Sequence, residues 1–330
     1  MWTTRRLLAW MGPYFESRGL DAPRLVAEML LAHVLDCDRM RLYMEADRPA
    51  AAEELATLRA LVARAAKHEP VQYLIGQARF YGRDFAVTPH VFIPQPCTEE
   101  IVSVVSEWFG RGGRTSVDGE EPANDGGADA GPLFADVGTG SGCLAVSLAL
   151  QVPRARVVAT DADEAALEVA RGNAERFGVT DRLAFVIGSL LEPVRAWMDE
   201  GGDAPDGAAS GAGAGPFPRA GGRFDVICSN PPYIPDHEWE GGQVQEAVRK
   251  YVPQRALRGG RDGLDFIRPL IAGAGSVLKS GGRLVIEIAD CQRDAVLDLV
   301  EKAPGLGNAE VRRDHEGLWR IFVAERVRSA

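Results

Sequence analysis

The sequence predicts an α/β protein in which a mostly parallel sheet follows a small helical bundle and a hairpin. Three observations carry this. Short apolar runs alternate with helical stretches from residue 133 onward, the pattern of parallel strands joined by helices. A glycine-rich turn, Gly138 to Gly142, separates the first of those runs from a helical stretch. The first 69 residues instead repeat apolar side chains at helical spacing, without strand runs.

Residues 1–69 contain "APRLVAEMLLAHVLD" and "AAEELATLRALVARAAKHE", with apolar residues at i, i+3, i+4 and i+7. They are expected to form a helical domain. Residues 70–98 change character. "VQYLIGQARFYGRDFAVTPHVFIPQP" is rich in β-branched and aromatic residues punctuated by glycine and proline, which predicts a hairpin and an extended linker. Residues 99–330 hold the strand runs "LFADVG", "RVVAT", "LAFVI", "FDVICS", "RLVIEIA" and "GLWRIFVAER". Two Gly-, Ala- and Asp-rich segments, near 110–132 and 199–222, have too little apolar surface to bury and read as loop insertions.

The chemistry gathers where strand runs stop. After "FADV" come Gly138, Thr139, Gly140, Ser141 and Gly142, and then a helix. Glycines let the backbone turn sharply and let a ligand approach a helix N-terminus. The next run ends in Asp161, about twenty residues on, where an acid can bond a ribose hydroxyl pair. Turn and acid together predict an adenosine-containing cofactor. Asp136 lies in the first run and is open to two roles, bonding the turn amides or the cofactor's amino group.

The run "RFDVI" leads into "CSNPPYIP". Prolines fix φ and remove N–H donors, so this elbow holds carbonyls free to accept bonds. It follows the fourth strand run, at the carboxyl edge where ligands of open α/β sheets bind. Asn230, Pro231, Pro232 and Tyr233 are therefore expected to face the cofactor's reactive end. Glu287 ends the fifth run near the same edge, to steady the elbow or to cap a turn.

Composition removes several classes. The 330 residues are 46% hydrophobic and 25% charged, with a net charge of −10, which argues against a protein that grips phosphate backbones. The 5 cysteines are scattered, with no paired spacing for zinc or disulfides, and suit a reducing cytosol. No metal site is expected. The apolar start is broken by Gly12, Pro13 and Glu16, well short of a membrane span.

Taken together, "GTGSG", the ribose acid and "NPPY" resemble the S-adenosylmethionine-dependent methyltransferases that modify planar amino or amide nitrogens. The longer stretches "EPVQYLIGQARFYGRDFAVTPHVFIPQPCTEEIV", "SNPPYIP", "VRKYVPQRALRGGRDGLDFIRPLI" and "LKSGGRLVIEIADCQ" narrow this. They resemble the protein-(glutamine-N5) methyltransferases of peptide chain release factors, the HemK/PrmC family. The resemblance implies a class I, Rossmann-like methyltransferase domain at 99–330, a substrate-recognition domain at 1–69 and the linker at 70–98. It implies S-adenosyl-L-methionine as cofactor and the glutamine of the Gly-Gly-Gln tip of class 1 release factors as substrate. Asp136, Gly138 to Gly142, Asp161, Ser189, Leu190 and Asn230 would hold the cofactor. A cytoplasmic monomer is expected, with no stable nucleic acid or membrane partner.

Methylating an amide nitrogen is mostly a matter of placement, because its lone pair is delocalised. The Asn230 oxygen and the Pro231 carbonyl can each accept one amide N–H, and Tyr233 can stack on the amide plane. No catalytic His or Cys is required. A nucleic-acid amino methyltransferase is the second reading, disfavoured by the acidic balance, and a partner-binding protein without turnover is the third. The family's linker usually reads I-P-R-P-[DE]-T-E, and here Gln95 and Cys97 stand for the arginine and the acid. Ser189 stands where an acid near the adenine is usual. In the loop after the elbow, Arg255 and Arg258 are read with Asp262 and Asp265 as the organisers of a lid. Phe80, Tyr81 and Phe92 are read as a wall over the cofactor or as packing.

Overall fold

A computed structural model describes residues 1–110, 131–199 and 222–327, and the two expected insertions fall largely on residues outside these. The chain divides into two compact units. One is Met1–Ala78 with Val87–Pro89 and Gln245–Val252, and the other is Arg79–Ala86 with His90–Val244 and Pro253–Ala330.

The first unit holds α1 (Thr4–Glu16), α2 (Pro23–Val34), α3 (Arg39–Met44), α4 (Ala52–Ala65) and α5 (Val71–Ile75). Local chemistry starts each helix. The Thr3 side chain accepts from the Arg6 N–H and Asp38 from the Arg41 N–H, each satisfying an orphan donor of a first turn. Glu54 reaches back to the Ala51 N–H at 2.7 Å, and Pro23 opens α2. Apolar periodicity then sets the buried face, which joins Met11, Phe15, Leu30, Leu31, Leu42 and Ala65 in one core. Glu28 is buried and takes bonds from Arg24, Arg39 and the Tyr43 hydroxyl. Those donors hold its carboxyl below the ordinary range against the opposing effect of burial. Residues 71–75 differ from the extended reading. Pro70 sets the start and Gly76, at φ 71°, the stop of a helical turn whose Val71, Tyr73 and Leu74 are buried.

The linker then gives the expected hairpin, β1 (Gln77–Phe80) and β2 (Arg83–Ala86), turning at Tyr81 and Gly82 with positive φ. The rest of the second unit alternates as the runs predict. In order come α6 (Glu99–Gly110), β3 (Leu133–Val137), α7 (Cys143–Gln151), β4 (Arg156–Asp161), α8 (Glu164–Arg176) and β5 (Leu183–Ile187). These are followed by α9 (Glu192–Asp199), β6 (Phe224–Ser229) and α10 (Asp236–Glu240), while α11 (Glu246–Tyr251), next along the chain, belongs to the first unit. The chain closes with α12 (Ile267–Val277), β7 (Leu278–Glu287), α13 (Arg293–Glu301), β8 (Leu306–Arg313) and β9 (Trp319–Arg326).

The sheet runs β5-β4-β3-β6-β7-β9-β8. Its strands are parallel from β5 to β7, while β9 and β8 return antiparallel. Parallel strands buried on both faces need helices on both faces. One apolar cluster unites α6, α7 and α8 with Phe80 and Phe85, and the other unites α9, α12 and α13. Strand order reverses between β3 and β6, where Val137 pairs with Ser229 and the Ser229 hydroxyl donates to the Val137 carbonyl at 2.7 Å. That reversal opens a crevice at the carboxyl ends of the two strands. β8 has no counterpart among the expected runs. It is an edge strand whose burial is mixed, so its sequence "LGNAEVRR" lacks a clean apolar alternation.

Candidate functional site

The glycine turn leaves β3 and enters α7 through three positive-φ glycines, Gly138, Gly140 and Gly142. Each is a conformation that an L side chain resists. A Cβ at Gly138 or Gly140 would stand in open space, so the turn presents bare backbone on that side. A Cβ at Gly142 would meet the Ala170 Cβ at 2.9 Å, which is why α7 and α8 approach closely only with glycine there. The Gly138 and Thr139 N–H groups both donate to the Thr160 carbonyl. Asn173, fully buried on α8, donates to the Ser141 carbonyl at 2.8 Å and exchanges two bonds with Ala86.

The two acids flank this turn. Asp161 ends β4, and its carboxylate accepts from the Gly140 N–H at 2.9 Å and the Asp163 N–H at 3.0 Å. Burial raises its carboxyl, opposed by the Gly140 amide, the Arg255 charge and the Ala162 amide. Asp136 is fully buried. Its Oδ2 accepts from the Thr139 hydroxyl at 2.6 Å and the Ala145 N–H at 3.1 Å. Its Oδ1 is buried without a hydrogen bond among the described residues. One Asp136 oxygen thus bonds the Thr139 hydroxyl and the first turn of α7 rather than the turn amides, and the other is an acceptor without a donor. Such an orphan fits an incoming cationic N–H group.

Burial pushes the Asp136 carboxyl up to about 7 from 3.8, with Asp161 adding to the rise and Thr139 and Ala145 opposing it. A carboxyl raised on folding binds its proton more tightly in the folded chain. Its stabilising contribution is thus full below the unfolded pKa and is lost as pH rises to about 7. Asp136→Asn removes that dependence. Urea unfolding at stepped pH should show wild-type stability falling relative to the variant between about pH 4 and about 7. Parallel profiles would show that Asp136 ionises normally.

Ser189 is exposed in the turn after β5, and Leu190 beside it is half-buried at φ 56°. A leucine held in the left-handed region is unusual and marks a constrained position. The preceding Gly188 donates its N–H to the Asp161 carbonyl at 2.9 Å, so this turn is tied to the end of β4.

The elbow after β6 is held from both ends. Asn230 Nδ2 donates to the Thr98 hydroxyl oxygen at 3.0 Å, and Thr98 donates to Glu287 Oε2 at 2.6 Å. The Tyr233 hydroxyl donates to Glu287 Oε1 at 3.0 Å, and the Cys97 thiol lies 3.5 Å from the same oxygen. Asn230 Oδ1 accepts no hydrogen bond among the described residues. Pro231 is buried, while Asn230, Pro232 and Tyr233 are half-buried. Gln292, buried on the far side, donates to the Tyr233 carbonyl at 3.0 Å and to the Gly263 carbonyl at 3.1 Å. Beyond the elbow, Ile234 and Arg258 form a parallel bridge.

Glu287 is fully buried, and burial raises its carboxyl against the pull of Thr98, Tyr233, Cys97 and Arg320. Burial and the Glu287 charge likewise push the Cys97 thiol up to about 12 and the Tyr233 phenol well above its ordinary value. Of its two open roles, Glu287 takes the first and steadies the elbow. Thr98 was missed as a functional residue. The signal was available in "CTEE", a hydroxyl beside an acid in a proline-rich linker, but its partners lie far along the chain.

Other readings change. Of the residues read as organisers of the loop after the elbow, Arg258 pairs with Asp236 at 2.7 Å, Arg255 with Asp163, and Asp262 with Arg268. Asp265 lies 3.8 Å from the Arg268 guanidinium. Phe80 is fully buried against Phe85 and belongs to the core, while Tyr81 donates its N–H to Glu99. Among the described residues no cluster of His, Cys, Asp and Glu could hold a metal, and no helix is long and apolar enough to cross a membrane.

Comparison with known proteins adds to this geometry. A model of the PrmC N-terminal domain matches residues 6–76, and one of ribosomal protein L11 methyltransferase (PrmA) matches residues 125–197. The release factor glutamine methyltransferase of Geobacter sulfurreducens is 38% identical over 321 residues, covering 97% of this chain and 96% of that protein. Its counterpart from Chlorobaculum tepidum is 38% identical over 288 residues, covering 87% of this chain and 86% of the other. Among solved structures, the hMettl16 catalytic domain in complex with MAT2A 3'UTR hairpin 6 aligns with a TM-score of 0.51 at 13% identity, covering 84% of this chain and 83% of that one. That likeness establishes the methyltransferase fold alone.

Proposed function

The chain belongs to the release factor glutamine methyltransferase family, and from that premise we propose its reaction in full. It transfers a methyl group from S-adenosyl-L-methionine to the side-chain amide nitrogen of the glutamine in the Gly-Gly-Gln motif of class 1 peptide chain release factors. The observation that carries this reading is the free Asn230 oxygen, set at the strand-order reversal beside the glycine turn.

The residues present fit the cofactor. Asp136 Oδ1 is an acceptor suited to an ammonium, Asp161 an acid suited to a ribose hydroxyl pair, and the open turn at Gly138 and Gly140 a bare cradle. Ser189 and the apolar Leu190 would border the base. When bound, S-adenosyl-L-methionine supplies an electrophilic methyl group on a sulfonium.

The chain's own residues then do the placing. Asn230 Oδ1 and the Pro231 carbonyl each accept one N–H of the substrate amide, which aims the nitrogen lone pair. The same two acceptors oppose the positive charge that grows on nitrogen during attack. Pro232 stiffens the elbow, and Tyr233, its hydroxyl tied to Glu287, offers its ring to the flat amide. Positioning of this kind is worth about 7–11 kcal/mol in favourable cases. No strong base is needed, because the methylated amide sheds its extra proton readily to water.

Residues 1–69 are assigned the recognition of the protein substrate, residues 70–98 the linker and residues 99–330 the methyl transfer. Support comes from the bundle's exposed Trp2, Trp10, Met40, Tyr43 and Met44, an apolar display suited to a protein partner. The test is incubation with methyl-labelled S-adenosyl-L-methionine and, separately, a purified class 1 release factor and duplex DNA. Label is expected on the glutamine of the release factor and not on DNA. Label on DNA alone would overturn the reading.

A further inference from the structure

A carboxamide has two ends of nearly equal size, and only one of them accepts. If Asn230 turned its NH2 toward the substrate amide, two donors would face each other. Something must therefore fix which end points outward. The bonds on its inner side do this. An ionised Glu287 has no proton to give and can only accept. Thr98 carries one hydroxyl proton, and that proton goes to Glu287 Oε2 at 2.6 Å. The Thr98 oxygen is then left with lone pairs alone, so only Asn230 Nδ2 can face it, as it does at 3.0 Å.

We propose that Thr98 and Glu287 are positioning residues that dictate the orientation of the Asn230 carboxamide, so that its oxygen is the end presented to the substrate amide. This rests on the methyl transfer proposed above. The remaining groups facing Glu287 reinforce the direction of the chain. The Tyr233 hydroxyl and the Cys97 thiol both donate to Oε1, and with Thr98 and the Arg320 charge they favour the ionised carboxylate against the burial that raises it. Thr98, Tyr233 and Cys97 each give their one side-chain hydrogen to Glu287. The carboxylate thus fixes Asn230 through Thr98 and Tyr233 directly, the two polar ends of one elbow. Thr98 and Glu287 need not touch the substrate amide to do this.

Thr98→Val keeps the side-chain shape and deletes the hydroxyl, and Thr98→Ser restores it. In single-turnover methylation of a release factor, Thr98→Val should lose about 10–100-fold in rate, the usual effect of removing a partner that orients a functional group. Cofactor affinity should hold, and Thr98→Ser should stay close to wild type. A second readout does not depend on turnover. The Asn230 side-chain NH2 should give a pair of exchange-protected signals in nitrogen-proton NMR of the wild type and Thr98→Ser, lost in Thr98→Val. Glu287→Gln must point its own NH2 at either Thr98 or the Tyr233 and Cys97 donors, and should lose rate in the same way if Thr98→Val folds poorly. A wild-type rate in Thr98→Val, or a serine variant as slow as the valine variant, would overturn the assignment, as would an NH2 pair unchanged in Thr98→Val. If the wild type leaves the release factor unlabelled, the functional reading fails, while the NMR comparison still decides the orientation.

Discussion

Asn230→Ala should lower the rate of methyl transfer to a release factor by about 10²–10³-fold, the typical loss for one preorganised electrostatic contact. The substitution deletes the acceptor that faces the substrate amide and leaves Pro231 and Pro232 to shape the chain. It also removes the donor to Thr98, but Thr98 keeps its bond to Glu287, so the buried carboxylate does not lose its partner. The glycine turn and Asp161 sit on β3 and β4 and make no bond to Asn230, so cofactor affinity should hardly move. Asn230→Asp retains an acceptor toward the amide but cannot donate to Thr98, whose only proton is already given. It should fall between wild type and alanine. Single-turnover labelling with cofactor affinity measured in parallel separates these effects. Transfer at the wild-type rate by Asn230→Ala would make the elbow a structural feature only.

Asp161→Ala is expected to act on the other substrate of the reaction. A hydrogen bond to a charged group contributes about 1.5–3 kcal/mol, so cofactor Kd should rise roughly 10–150-fold. The geometry places the expectation toward the upper part of that range. Asp161 accepts from the Gly140 and Asp163 N–H groups as well as being placed for the ribose. Its loss leaves two backbone donors unpaired and removes one of the ties between the glycine turn and β4. Asp161→Asn keeps one acceptor and should be milder than alanine, yet short of wild type, since its NH2 must face one of those donors. Calorimetric titration, with thermal unfolding to confirm the fold, measures the difference. An alanine variant that binds the cofactor as well as wild type does would remove Asp161 from the site.

Much of this protein was legible in its sequence, because the relevant forces act over a few residues. Apolar periodicity decides which face of each bundle helix is buried, and Thr3, Asp38 and Pro23 mark starts within one turn of the helices they open. The alternation of apolar runs and helical stretches foretold the parallel sheet, and parallel strands with the glycine turn and elbow at their ends foretold the crevice at the β3–β6 reversal. The proline content of the elbow spoke for itself, since proline's constraint on φ is covalent. The antiparallel edge strand β8 was not legible, because an edge strand need not alternate and its pairing with β9 is chosen by register rather than by its own side chains. Nor were the ion pairs of the loop after the elbow, where Arg258 found Asp236 instead of a nearer acid. Spacing in sequence says little about reach in a loop with irregular backbone. Most of all, only the tertiary structure decided how the elbow is oriented. Thr98 and Glu287 stand 189 residues apart, and their meeting depends on the strand order that sets β7 beside β6 and on the linker's path across the strand ends. Burial of that carboxylate makes each donor around it obligatory, and the direction of the Asn230 amide follows from the count of hydrogens available there.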